Sequence, residues 1–315
     1  MAQQVQPIII GADVDSRFIE LYTHHSGQHE RIENEPRALR AWLSRQSRPM
    51  ALAVEATGRY HLALVELAHA QGVAVYLLNP FQIHHYRHSV GGRAKTDRCD
   101  ARLLARYLAH ERHALRAWTP PPAGQRVAWG LLKRRAKLVK AREMLRQSFA
   151  DLPGMKRQVQ GMLARMDALQ HTLDQRLLAH IQQLGWGPAY RRCRTIYGIG
   201  PLAAAALVIA YHRGAFTRAD AFVAFLGLDI RVRESGRLVG RAKLTKQGDG
   251  EYRRVLYNAA MTAARGDLRG YYQRLLARGM KATQALVAVS RKLVRIAFSV
   301  IKYQSTYDPT RHQVA

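Results

Sequence analysis

Four acids in the first third of the chain, Asp13, Glu55, Asp97 and Asp100, have the types and placement needed to share divalent cations. Asp13 closes the apolar run Ile8-Ile9-Ile10-Gly11-Ala12, a β-rich stretch. Glu55 falls in a second apolar stretch, Met50 to Ala56, where a buried carboxylate without a partner is unfavourable. Asp97 and Asp100 stand three apart at the start of a helical stretch, so both point to one side of it. Carboxylates delivered from two strands and a helix suit Mg²⁺, which takes hard oxygen ligands and keeps several waters. Mn²⁺ accepts the same donors. Two such ions about 3.5–4 Å apart activate the attacking oxygen and stabilise the leaving one in a displacement at phosphorus. Each acid also has a plainer reading. Asp13 could serve a turn, and Asp15, two residues on, is a rival on the same strand face. Asp97 could cap its helix, with Thr96 as the alternative cap.

A second candidate lies far along the chain. Ser235 precedes Gly236 in a polar stretch, a pattern that usually means a turn. Yet Arg231, Arg233, Arg237, Arg241 and Lys243 surround it with positive charge. Such charge holds a phosphate and stabilises its transition state. A serine nucleophile needs activation, and no base lies nearby in sequence. His212 is either a helper or a packed helix-end histidine, and activation from the acidic domain is the better account.

The elements that must position these residues are legible in outline. After the first strand, Phe18 to His25 and Glu30 to Asn34 continue a meander, and Leu39, Trp42 and Leu43 mark a helix. A strand follows at Met50 to Ala56, a helix at 60–71, and a strand at Val73 to Leu78 closed by Asn79-Pro80. This alternation predicts a mixed α/β sheet with helices on its faces. Acids placed on two strands and a helix are the arrangement of RNase H-like folds. Residues 119–124, Thr-Pro-Pro-Pro-Ala-Gly, make a linker, because consecutive prolines cannot continue a helix. From 125 to about 184, Leu and Met recur every three or four residues, which predicts a helical hairpin or coiled-coil arm interrupted near Pro153-Gly154. Between 126 and 146 there are eight Lys/Arg and one acid, including Lys133, Arg134 and Arg135. This is either a solvated face or a phosphate-contacting one. Residues 190–305 form a mainly α unit, where Gly198-Ile199-Gly200-Pro201 precedes a helix at 202–211. That turn either exposes N–H groups to phosphate or simply packs two helices. Closing helices are expected at about 254–265 and 283–302. The expected division is 1–118, 119–189, 190–305 and a tail at 306–315.

Composition names the partner class. The 315 residues carry 50 Lys+Arg against 22 Asp+Glu, a formal charge of +28. An excess of that size calls for a polyanion, and nucleic acid is the default one. A ribosomal or chromatin-type binder without chemistry would show the same balance. Cys99 and Cys193 have no CxxC spacing, which argues against zinc and a disulfide framework and fits a reducing cytosol. The first residues lack the pattern of a signal peptide. No apolar run approaches the roughly 20 residues of a membrane span. The expectation is a cytoplasmic protein with no membrane partner.

With these residues in place, the sequence resembles a known family. Gly11-Ala12-Asp13-Val14, Val54-Glu55-Ala56-Thr57-Gly58, Asn79-Pro80 and Lys95-Thr96-Asp97-Arg98-Cys99-Asp100-Ala101 are similar to the DEDD-type insertion-sequence transposases. The likeness continues through Gly198-Ile199-Gly200-Pro201, Phe216, Leu226-Gly227-Leu228, Arg233-Glu234-Ser235-Gly236, Thr245-Lys246-Gln247-Gly248 and Arg253-Arg254. It spans most of the chain in order. The resemblance implies a RuvC-like N-terminal domain in which Asp13, Glu55, Asp97 and Asp100 bind metal. It implies that Ser235 is a nucleophile that becomes covalently joined to a DNA phosphate, in a bacterial, nucleoid-associated recombinase. It further implies a structured noncoding (bridge) RNA that pairs with donor and target DNA, and a homo-oligomer, dimer or tetramer, with shared active sites. Arg231, Arg233, Arg237, Arg241, Lys243, Lys246, Arg253 and Arg254, with the basic helix, are then the expected nucleic-acid contacts. Two departures stand out. Asp15-Ser16-Arg17 replaces the usual Ser-Lys after the first Asp-Val, and Asp249-Gly250-Glu251 interrupts a stretch that is usually basic. The rival readings are a junction nuclease using the acids alone, a DNA invertase without a guide, and a binder without catalysis.

Overall fold

Alternation along β1 (Ile8–Val14) sends Ile10 and Ala12 into one apolar cluster and Ile9 into another, the two faces of a sheet. The computed structural model describes residues 6–56, 58–91, 97–231 and 243–310. Beside β1 lies β2 (Phe18–Thr23) and then β3 (His29–Glu33), an antiparallel meander, while β4 (Met50–Glu55) and β5 (Ala74–Leu78) run parallel to β1 on its other side. The order β3-β2-β1-β4-β5 makes β1 the hinge between antiparallel and parallel halves, and it is compatible with an RNase H-like domain.

Helices cover both faces. On one, α1 (Pro36–Arg45) buries Leu39, Trp42 and Leu43, and α2 (Leu62–Ala70) buries Leu64, Val65 and Ala68, against Ile10, Ala12, Leu52 and Val54. On the other, Ile83 of α3 (Pro80–Ser89) and Leu104, Ala105 and Leu108 of α4 (Asp97–Glu111) pack on Ile9, Ala51 and Ala53. The start of α3 is set locally. Asn79 Oδ1 accepts the Phe81 N–H at 2.9 Å, and Pro80 occupies the first turn. Asn79-Pro80 therefore opens a helix as well as closing a strand.

Gly11 lets α4 touch the sheet. A Cβ there would stand 2.5 Å from Ala105 N and closer still to Ala101 O, both backbone atoms that cannot swing away. Gly11→Ala must push α4 off β1. Overpacking of this kind costs about 1–3 kcal/mol, so we expect the melting midpoint to drop by at least about 2 °C. Because α4 begins with Asp97 and Asp100, the DNA strand cleavage that the family resemblance implies should fall with it at a temperature well below the midpoint. A cleavage rate equal to that of the native protein would show that this close approach does not set the site.

Contacts divide the chain between Pro120 and Pro121 into two units. In the second, α5 (Ala123–Ser148) and α6 (Lys156–Gln183) form an antiparallel hairpin around a turn at Pro153–Met155. Arg135 bridges Asp174, and Arg142 bridges Asp167 at 2.6 Å. The root of the hairpin buries Ala128, Leu132, Leu177 and Ile181 in one core with α7 (Gly187–Arg194), α8 (Pro201–His212), α9 (Ala219–Phe225), α10 (Gly250–Ala263) and α12 (Ala282–Lys302). The stretch expected as a separate arm thus shares its core with the helices that follow it. Helix α8 is apolar all round, with every residue from Ala203 to Ala210 buried, as a central helix must be. Helix α11 (Arg269–Ala277) and a two-stranded ribbon, β6 (Ile230–Arg231) with β7 (Lys243–Leu244), complete the unit.

Asp249 caps α10 by accepting the Glu251 N–H at 2.8 Å, and its other oxygen takes Lys133 Nζ at 2.6 Å. This explains the acids after Gly248: they start a helix, four residues before the expected 254. Among the described residues no helix is long and apolar enough to cross a membrane.

Candidate active site

The β1–β4 register pairs Ala12 with Val54, so one residue further on Asp13 comes beside Glu55 at the ends of parallel neighbours. Both side chains fall on the face covered by α4, since Ile9, Ala51 and Ala53 of the same alternation meet that helix. Asp97 and Asp100 form the first turn of α4, just beyond the Gly11 crossing. All four acids line a single cleft of about 920 Å³ in the N-terminal unit.

The charges in this cleft are unbalanced. Asp13 is pushed up to about 6, first by burial and then by the negative charges of Asp100, Asp97 and Glu55, with the Val14 N–H opposing. Arg87 Nη1 lies 2.5 Å from Asp100 Oδ1, with both side chains largely buried. Glu20, directly across from Asp13 on β2, also lines the cleft and pairs with Arg31 at 3.4 Å. Asp15 sits past the end of β1, exposed, with its carbonyl accepting from Asn34 Nδ2 at 2.8 Å. It occupies the rim, while Asp13 sits within the acid cluster.

The acids share a cleft, but among the described residues no three carboxylates, histidines or cysteines stand at metal-ligating spacing. The expectation that four carboxylates surround one ion pair therefore exceeds the observed geometry. Like charges push one another apart, and Arg87 draws Asp100 toward α3. In kind, however, the donors fit a hard divalent cation. They are all carboxylate oxygens, and the other acids add to the burial that raises Asp13.

That imbalance has a measurable sign. The folded chain holds the Asp13 proton up to about pH 6, whereas an ordinary aspartate releases it near 3.8. Ionised Asp13 therefore opposes folding. The penalty is absent below about pH 4, grows between 4 and 6, and is complete above 6. In EDTA at pH 7.5, Asp13→Asn should melt a few degrees higher than the native protein, and the two midpoints should converge near pH 4. A variant less stable at pH 7.5 would contradict the crowding of charge.

Ser235, Arg233, Arg237 and Arg241 lie outside the described residues, as does Thr96, while the ribbon that flanks the serine segment pairs Arg231 with Lys243. Arg231, Lys243, Lys246 and Arg134 are exposed. Lys133, Arg135 and Arg254 are held in ion pairs with Asp249, Asp174 and Glu251, and Arg253 donates to the Lys246 and Gly248 carbonyls. His212 stacks flat on Trp186 with ring centres 4.2 Å apart, and burial holds its pKa below the usual value. It is a packed histidine. Cys193 is buried, with its thiol pushed up to about 12 by that burial. Sequence reasoning missed His84, Arg87 and His88, which bring α3 into the cleft wall, and Glu20. Only the strand register and the α3 cap could have pointed to them.

Two family profiles and three known proteins match the chain. A transposase profile of the DEDD, IS110 type matches residues 21–152, and a profile described as "Transposase IS116/IS110/IS902 family" matches residues 190–273. The first includes Glu55, Asp97 and Asp100 but begins after Asp13, and the second includes the Ser235 segment. The "Pilin gene-inverting protein" of Moraxella lacunata is 27% identical over 330 residues, covering 96% of this chain and 98% of that protein. Its counterpart from Moraxella bovis is 28% identical over 277 residues, 83% of each. An "uncharacterized 42 kDa protein" of insertion element IS900 from Mycobacterium paratuberculosis is 31% identical over 97 residues, 30% of this chain and 24% of that one.

Proposed function

For a chain that belongs to the DEDD-type insertion-sequence transposases, we propose a DNA recombinase that cuts and rejoins strands with its acidic cleft and Ser235. The observation that carries this reading is the gathering of Asp13, Glu55, Asp97 and Asp100, from β1, β4 and α4, into one cleft where Asp13 is pushed up to about 6.

In this reading the four carboxylates hold Mg²⁺, or Mn²⁺ in its place, as in a RuvC-like domain. A divalent cation bound there supplies Lewis-acid stabilisation of charge at phosphorus. The residues of the chain do the rest. The cleft orients the scissile phosphate, with Arg87 as a guanidinium donor to its oxygens. Ser235 Oγ attacks phosphorus, an Oγ–P bond forms, and the P–O bond to one sugar breaks. The serine proton leaves to solvent or a base, and the departing sugar oxygen takes up a proton. Rejoining runs the same exchange with a different strand's hydroxyl, which returns the serine. A structured guide RNA selects donor and target, and a homo-oligomer assembles the sites, with the protein on the nucleoid in the bacterial cytoplasm. The formal charge of +28 supports a nucleic-acid partner. The α5–α6 hairpin would serve as a coiled-coil arm in that assembly.

The test is a reaction with DNA carrying the element ends and its target, RNA transcribed from the flanking region, and Mg²⁺. Cut and joined products should form and should vanish with EDTA. Binding without any strand breakage in Mg²⁺ or Mn²⁺ would leave a non-catalytic binder. A second reading has its own support, the near full-length match to two pilin gene-inverting proteins. Inversion of a segment with no RNA added would favour it.

The basic residues divide by their partners. Replacing exposed Arg134, Arg231, Lys243 or Lys246 by Ala should lower the slope of log affinity against log salt by about one unit each. Lys133→Ala and Arg135→Ala should instead lower the melting midpoint, because their charges are already paired within the protein. A slope unchanged in all four exposed variants would rule out backbone contact there.

A further inference from the structure

His84, Arg87 and His88 sit on one side of α3 at positions i, i+3 and i+4, and all three line the acidic cleft. Of these, Arg87 crosses to another helix. Its Nη1 meets Asp100 Oδ1 at 2.5 Å, with the two side chains only 17% and 14% exposed. Besides Asp100, the charges of Glu55 and Asp13 favour the guanidinium in this position. Arg87 therefore performs, inside the protein, the task of a cation at this cluster: it pairs with one acid and is favoured by the charge of two more.

A divalent cation coordinated by Asp100 would need the same carboxylate. It would also lie within a few ångströms of a fixed positive charge, in a partly buried site where screening is weak. Like charges at that separation change an affinity by more than tenfold, even at an effective dielectric near 20. A guanidinium and a divalent cation cannot both be held well at Asp100. We infer that Arg87 is a positioning residue that occupies Asp100 in the cation-free chain and leaves it when a divalent cation is loaded. This rests on the reading of the cleft as a cation site. Arg87 keeps the acids from unbalanced repulsion in the resting protein, at the expense of cation affinity. Once displaced, it is free for a phosphate of the bound strand, so DNA and cation binding reinforce each other.

The experiment measures Mn²⁺ binding to the full chain, by the signal of free Mn²⁺ in electron paramagnetic resonance, with thermal midpoints in EDTA. Native protein, Arg87→Gln, Arg87→Lys and Asp13→Asn are compared. Arg87→Gln should bind Mn²⁺ at least tenfold more tightly and melt several degrees lower in EDTA, with the loss recovered by Mn²⁺. Arg87→Lys keeps the charge and should stay within about threefold of native affinity. Equal or weaker Mn²⁺ binding by Arg87→Gln overturns the inference while leaving the cation site intact, provided Asp13→Asn abolishes native binding. If Asp13→Asn binds Mn²⁺ as well as native protein does, the cation-site reading falls first and the inference with it. An Arg87→Gln chain that stays unfolded even in excess Mn²⁺ makes Arg87 a packing residue, which also overturns it.

Discussion

Asp13→Asn, Glu55→Gln, Asp97→Asn and Asp100→Asn should each reduce strand cleavage by at least about 10³-fold while leaving nucleic-acid affinity within a few-fold of native. The size follows from charge stabilisation at phosphorus, which supplies several kcal/mol, at a tenfold rate change per 1.36 kcal/mol. Affinity survives because it comes from phosphate contacts elsewhere on a chain of net charge +28. The same four changes should act on stability in different directions, which separates lost chemistry from lost folding. Asp13→Asn relieves a carboxyl raised to about 6 and should stabilise the cation-free protein at neutral pH. Asp97 is exposed at the start of α4, and its change should be nearly neutral. Asp100→Asn removes the partner of the largely buried Arg87 and should destabilise. Equal loss of cleavage across unequal shifts in melting midpoint would place all four in the chemistry. If one variant cleaves at the native rate, that acid is structural, and Glu20, facing Asp13 across β2, becomes the candidate to replace it.

The parts of this arrangement that were legible in sequence are those written in local pattern. The run Ile8 to Ala12 and the apolar stretch ending at Glu55 mark strands by their alternation and β-branching, and Leu39, Trp42 and Leu43 mark a helix by spacing. From these, Asp13 and Glu55 could be assigned to strand ends before any register was known. What was not legible depends on long-range geometry. Helix α3 reads Pro-Phe-Gln-Ile-His-His-Tyr-Arg-His-Ser and buries only Ile83, so no apolar stripe announces it. Arg87, His84 and His88 were invisible as cleft residues for that reason. Glu20 faces Asp13 only through the β1–β2 register, which the turn between them sets. The short helices α7, α9 and α11 span two to three turns, too few to show a period. The choice between Asp13 and Asp15 was open on alternation alone. The structure places β1's end at Val14, with Asp15 exposed at the rim of the cleft and Asp13 within the strand.

Ser235→Ala should eliminate a covalent protein–DNA adduct and lower recombination by at least about 10⁴-fold, the scale seen when a nucleophile is removed from a catalytic unit. The reasoning is chemical. An enzyme that rejoins strands without an external energy source must keep the phosphodiester bond energy, and a serine–phosphate ester does so where attack by water would leave a broken end. Position adds a constraint. Ser235 belongs to the unit that follows Pro121, while the four acids lie in the unit that precedes it. Chemistry that needs both must bring the two units together, within one chain or between chains. A denaturing gel with end-labelled DNA and Mg²⁺ reads the first point: native protein gives a slow-migrating adduct, and Ser235→Ala gives none. Recombination by Ser235→Ala at the native rate would return the chemistry to the acidic cleft alone, as in a junction nuclease. Mixing Ser235→Ala with Asp13→Asn reads the second point. Each is inactive alone, and recovered activity in the mixture requires a serine from one chain to act with acids from another. Recovery up to about a quarter of the native rate is expected for a dimer with two shared sites that act independently, because about half of randomly mixed dimers pair the two variants and one of their two sites is then intact; no recovery in such a dimer places serine and acids of a single chain in each site. Shared sites would make strand breakage conditional on assembly, so that an isolated subunit bound to DNA cannot cut it.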